Sequence, residues 1–202
     1  MKLIEIFKSL QGEGRDQGKT TVFIRLAGCN LNCSWCDTQH SHDEGAEIDN
    51  DEIIRQVDEY GCKEICITGG EPLLQASELR VLLSRLSRLG HSIEIETNGT
   101  IDFGPVQDNA TICMDVKCPS SGEQSDLALL RKISSGDSVK FVVGDQKDCQ
   151  YAAEVIQQHP IRGEIFFSPV AGSDYHGVAC YVLDNNLPVR FQVQLHKIIG
   201  VR

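Results

Sequence analysis

From end to end the chain alternates short apolar runs with stretches of helical spacing, which restricts it to folds built from βα units around a mainly parallel sheet. The runs predict strands over Ile4 to Phe7, Thr21 to Leu26, Glu64 to Thr68, Ser92 to Glu96, Thr111 to Asp115, Ser138 to Val143, Glu164 to Ser168 and Val189 to Gln192. Helices are expected over Asn50 to Tyr60, Gln75 to Leu89, Leu127 to Ser134, Asp148 to Gln158 and Asp174 to Asn186. In the second of these, Leu79, Leu82, Leu83, Leu86 and Leu89 share one face, which should pack on the sheet. At 202 residues the chain fits a single domain, residues 1–202, too short for a full eight-unit barrel with insertions. An open barrel and a doubly wound sheet both satisfy the pattern, and both place ligands at the carboxyl ends of the strands.

Four motifs fall at such ends. Gly28-Cys29-Asn30-Leu31-Asn32-Cys33-Ser34-Trp35-Cys36-Asp37 follows Leu26; Gly69-Gly70-Glu71-Pro72 follows Thr68; Thr97-Asn98-Gly99-Thr100 follows Glu96; Lys117-Cys118-Pro119 follows Asp115. Cys29, Cys33 and Cys36 give a metal centre only three thiolates, which suits a four-iron cluster with one iron open to a small molecule. The same cysteines with His40 or His42 would complete a structural zinc site in a non-enzymatic interaction module, an alternative that spacing alone leaves open. Each of the other motifs, taken singly, is also ordinary turn chemistry.

A formal charge of −10 argues against nucleic-acid or anionic-membrane surfaces, which need clustered Lys and Arg. No run approaches the roughly 20 apolar residues of a membrane span, and the N-terminal residues lack a signal-peptide pattern, so a cytoplasmic protein is expected. Nine cysteines, an odd count, fit a reducing compartment, with Cys62, Cys66, Cys113, Cys118, Cys149 and Cys180 as core or loop thiols.

The C-x3-C-x2-C spacing, with Trp35 directly before the third cysteine, resembles the cluster loop of the radical S-adenosylmethionine enzymes. The resemblance implies an incomplete, TIM-type (β/α) barrel, a four-iron, four-sulfur cluster on Cys29, Cys33 and Cys36, and S-adenosylmethionine cleaved by one electron to a 5'-deoxyadenosyl radical. It also implies cofactor contacts at Trp35 and Asp37, at Gly70 and Glu71 in the turn that receives the methionine amino group, at Glu96 near the ribose, and at Asp115, Val116, Lys117 and Ser168.

Phe7-Lys8-Ser9-Leu10-Gln11-Gly12-Glu13-Gly14, with Arg25 ahead of the cysteines and Gln194-Leu195-His196-Lys197 near the end, narrows the resemblance to the 7-carboxy-7-deazaguanine synthase family. Those enzymes rearrange 6-carboxy-5,6,7,8-tetrahydropterin to 7-carboxy-7-deazaguanine with release of ammonia, on the route to the deazapurines queuosine and archaeosine. Leu10, Gln11, Gly12, Glu13 and Thr68 would then meet the pterin, and Arg25 its carboxylate as a bidentate pair. Thr38, after Cys36-Asp37, would ligate magnesium. No side chain need act as a catalytic acid or base, because the cofactor carries the hard chemistry. The family resemblance further implies a flavodoxin- or ferredoxin-type reductant and a homodimer. A glycyl-radical-enzyme activase shares the cysteine loop and glycine-rich turn but needs a protein-docking face.

Overall fold

The computed structural model describes residues 1–202 and contains one mixed sheet of nine strands. They are β1 (Lys2–Leu10), β2 (Thr20–Leu26), β3 (Ala46–Glu47), β4 (Glu64–Gly69), β5 (Ser92–Thr97), β6 (Thr111–Val116), β7 (Ser138–Val143), β8 (Glu164–Pro169) and β9 (Arg190–Phe191), in spatial order β3-β1-β2-β4-β5-β6-β7-β8-β9. β1 pairs antiparallel with β2 and β3, and every pairing from β2 to β9 is parallel. The first and last strands in that order, β3 and β9, do not meet, so the barrel is incomplete, as expected.

Helices α1 (Asn50–Glu59), α2 (Ala76–Arg88), α3 (Gln146–Gln158), α4 (Tyr175–Asp184) and α5 (Leu195–Ile199) complete the fold. Aspartates cap α1, α3 and α4: Asp49, Asp145 and Asp174 accept from the N–H groups of Glu52, Asp148 and Gly177 at 2.8, 3.0 and 2.9 Å. The helix expected over Leu127 to Ser134 is instead a 3₁₀ stretch, Leu127–Lys132. Asp126 caps its start and Asp137 holds Ser134 at its end through the Ser134 N–H and hydroxyl, so the segment is pinned as two turns. The β5–β6 and β6–β7 crossovers therefore carry no α-helix.

Strand alternation divides the sheet into two unlike faces. Val22, Ile24, Ile65, Ile67, Ile93, Ile95, Ile112, Met114, Val116, Val139, Phe141 and Phe167 belong to the main core, packed with Leu79, Leu82, Leu83 and Leu86 of α2. The opposite, concave row reads Glu5 and Phe7 on β1, Arg25 on β2, Cys66 and Thr68 on β4, Glu94 and Glu96 on β5, Cys113 and Asp115 on β6, Lys140 and Val142 on β7, and Ser168 on β8. Register sets these side by side: Glu5 opposite Arg25, Arg25 opposite Thr68, Cys66 opposite Glu94, Glu96 opposite Cys113, Asp115 opposite Lys140.

Candidate active site

The concave face and the loops at the strand ends enclose a cavity of about 510 Å³, within the roughly 300–1,000 Å³ typical of small-molecule sites. The three cysteines, Trp35, Asp37, Thr38, Gly70, Glu96, Asp115 and Lys117 all line it, as do Leu10, Gln11, Gly12, Glu13, Arg25 and Thr68. Three expected contacts lie elsewhere. Val116 faces the helix-covered core. Ser168 is buried beneath Glu13, to which its hydroxyl donates at 3.5 Å. Glu71 is fully buried and occupied, accepting from the Leu73 and Asn98 N–H groups at 2.9 and 2.7 Å and from the Thr97 hydroxyl at 2.9 Å. Burial pushes its carboxyl up, against those same donors.

The glycine-rich turn is shaped by the cysteine loop. A Cβ on Gly70 would overlap the Gly28 carbonyl and approach the Cys29 Cβ to 2.7 Å, and Gly69 has φ of +142°. Glu71 N–H donates to the Gly28 carbonyl at 2.8 Å, so the two loops are stitched backbone to backbone. On its other flank the cysteine loop leans on residues 117–122. The Trp35 indole N–H donates to Ser120 Oγ at 2.9 Å, and the Lys117 ammonium lies 5.3 Å from the Trp35 ring centre. Asp148, fully buried, accepts from the Ser120 and Gly144 N–H groups at 2.9 and 2.7 Å and from the Ser120 hydroxyl at 2.5 Å, fixing that flank.

The donor set fits the groups that the cysteine loop implies. Cys29, Cys33 and Cys36 are free, half-buried thiols around one cavity. Asp115 keeps Oδ2 on the Lys117 ammonium at 2.6 Å, while its buried Oδ1 has no partner, an acceptor left for a ligand. Thr38 and Asp37 offer adjacent oxygens, the Thr38 hydroxyl donating to Asp37 at 2.9 Å. Burial would raise the Asp37 carboxyl, but Lys197, 2.9 Å away, holds it below the usual carboxylate range. Arg25 uses Nε on Glu5 at 3.0 Å and leaves its terminal N–H groups unengaged.

Glu94, Cys66 and Lys140 escape a reading of the sequence, although they neighbour residues that it does pick out. Gln11 Nε2 donates to both Glu94 and Glu96 at 3.4 Å, and Cys66, Glu94 and Glu96 bring ligand-type atoms within 4.8 Å of one another. Burial first, and the Glu96 charge second, push the Glu94 carboxyl up to about 8. Burial would likewise raise Glu13, yet the Lys140 ammonium paired with it holds its carboxyl below the ordinary value. The run Val139-Lys140-Phe141 reads as a buried apolar strand, and only its alternation signals that Lys140 faces the other way. Residues 192–202 finish the rim. Gln192 exchanges hydrogen bonds with the Gly14 backbone at 2.7 and 2.9 Å, the Leu195 N–H donates to the Gly12 carbonyl at 3.0 Å, and a Cβ on Gly12 would run into the His196 ring. Arg202 pairs with Glu5 and lies 4.7 Å from the Phe7 ring centre.

Residues 23–110 match the family model of the radical SAM superfamily. The 7-carboxy-7-deazaguanine synthase of Methanospirillum hungatei JF-1 is 52% identical over 201 residues, covering 100% of this chain and 86% of that one. The protein of the same name from Koribacter versatilis is 35% identical over 218 residues, covering 98% and 96%. Among solved structures, QueE from Escherichia coli superposes with a TM-score of 0.79 at 25% identity, covering 96% of this chain and 94% of that chain. With full-length identity above half to one such enzyme and a shared fold, the chain belongs to the 7-carboxy-7-deazaguanine synthase family of the radical SAM superfamily.

Proposed function

We propose that this protein converts 6-carboxy-5,6,7,8-tetrahydropterin to 7-carboxy-7-deazaguanine with release of ammonia, as a single domain spanning residues 1–202. One observation carries the reading: a single cavity is lined both by Cys29, Cys33 and Cys36 and by Gln11, Glu13 and Arg25. The three thiols would hold a four-iron, four-sulfur cluster and, with S-adenosylmethionine bound, that pair supplies reductive one-electron chemistry for hydrogen abstraction.

The chain's own residues bind and orient. Asp115 Oδ1 accepts from the cofactor and Lys117 steadies Asp115 from the side of Trp35. Gly69 and Gly70 let the turn pack directly on the backbone at Leu26 and Gly28 while lining the cavity. Arg25 presents its free N–H groups to the substrate carboxylate, held in place by Glu5. Thr38 would hold a magnesium ion beside that carboxylate, with Asp37 at its flank. Gln11 and Glu13 meet the pterin edge, and the segment 192–202 keeps water from the rim.

A flavodoxin- or ferredoxin-type reductant, a homodimer and a cytoplasmic setting complete the reading. No helix is long and apolar enough to cross a membrane. The test is anaerobic reconstitution with iron and sulfide, then addition of S-adenosylmethionine, reductant, magnesium and 6-carboxy-tetrahydropterin. Mass spectrometry is expected to find 7-carboxy-7-deazaguanine with no protein partner present, an outcome that a glycyl-radical activase cannot give. Formation of 5'-deoxyadenosine without that product overturns the pterin assignment. A colourless, zinc-loaded protein overturns the enzymatic reading.

A further inference from the structure

Lys140 sits on β7, separated in the sheet from Arg25 on β2 by β4, β5 and β6. It is 5% exposed yet lines the cavity. Its ammonium pairs with Glu13 Oε2 and makes no other hydrogen bond. A lysine ammonium carries three N–H donors, so two remain for whatever occupies the cavity. A buried cation with donors to spare is costly until a ligand uses them. Glu13 is loosely held on its other side: the Ser168 hydroxyl lies 3.5 Å from Oε1, and Gln194 adds a side-chain hydrogen bond from the rim.

The charge around Lys140 decides which end of a substrate it can meet. Glu13, Asp115 and Glu96 all act on its ammonium; Lys117 offsets Asp115, with which it pairs, and an incoming carboxylate would be left to face Glu13 and Glu96 there. A neutral carbonyl oxygen would not. The carboxylate end is served by Arg25, whose terminal N–H groups are unengaged. Lys140 and Glu13 together offer donors beside acceptors, the complement of a ring edge on which an oxo group adjoins an N–H and an amine.

Resting on the pterin reading above, the geometry points to Lys140 as a specificity-determining residue: its ammonium donates to the 4-oxo group of the bound ring while Glu13 accepts from the neighbouring ring N–H and 2-amino group. The pair therefore rejects pteridines that carry a 4-amino group, a second donor facing the ammonium.

The experiment uses the cluster-loaded protein with S-adenosylmethionine, without air, and measures binding of two probes, 6-carboxypterin and 6-carboxy-2,4-diaminopteridine. The wild type should prefer the pterin by about tenfold to a hundredfold, because the analogue leaves a buried donor unpaired. Lys140→Arg should keep most of that preference and Lys140→Met should bring the ratio near unity. Since Lys140→Met strands the Glu13 charge, the double variant Lys140→Met/Glu13→Gln is measured beside it, and it should lose the preference too. A wild type that binds neither probe overturns the pterin reading and this proposal with it. A wild type that binds the pterin without preference, or a preference that survives in the double variant, overturns the Lys140 assignment alone.

Discussion

Glu71 stands in the turn expected to receive a cofactor, but its carboxylate is consumed by Leu73, Thr97 and Asn98. Glu71→Ala would strand the Leu73 and Asn98 N–H groups and the Thr97 hydroxyl in the interior, so a loss of about 2–4 kcal/mol is expected in urea denaturation. Glu94 has the opposite problem, a buried carboxylate short of donors. The fold holds its carboxyl up to about 8 against an ordinary value of 4.5. Between those values the folded state keeps a proton that the unfolded chain has released, so stability falls as pH rises from about 4.5 to about 8. Urea midpoints at pH 5, 7 and 9 should fall in that order, and Glu94→Gln should flatten the trend. Neither behaviour is legible in the sequence, where Glu71 is an acid in a turn after β4 and Glu94 an acid within β5; what separates them is the number of N–H and O–H groups that the fold turns toward each.

At the level of elements, all eight expected strands are present, because a run such as Glu64 to Thr68 bounded by Gly-Gly leaves little choice of period. The helix expected over Leu127 to Ser134 failed because aspartates at 126 and 137 capture backbone N–H groups at either end of a six-residue run. Strand β3 and helix α5 went unseen, being two and five residues long with no periodicity to read. The cysteine loop was recognisable by spacing, but its supports were not: Ser120 and Asp148 come from segments far along the chain. Gly70→Ala should displace the loop by collision with Gly28 and Cys29, lowering iron bound per chain after reconstitution. Asp148→Ala should cost about 1–3 kcal/mol, as three partly buried donors lose their acceptor. If iron uptake by the Gly70→Ala protein were unchanged, the stitched-loop account would be wrong.

For the molecule as a whole, the two-faced sheet separates what holds the fold together from what contacts ligands. The helix-covered row supplies the core, and the concave row supplies Arg25, Thr68, Glu96, Asp115 and Lys140. Residues 192–202 belong to the second category, tied to Gly14, Asp37 and Glu5 at the rim. Removing them should lower the melting temperature by only a few degrees, about the effect of 1 kcal/mol in a protein of this size, while abolishing binding of 6-carboxypterin. A large loss of stability would show that the segment is part of the core. The Gln192 contact with Gly14 spans 178 positions of sequence. The mouth of the cavity is therefore built last, from residues made only after the final strand, β9, at Arg190–Phe191. A released chain ending at Phe191 would already be folded in the main and still be unable to hold substrate.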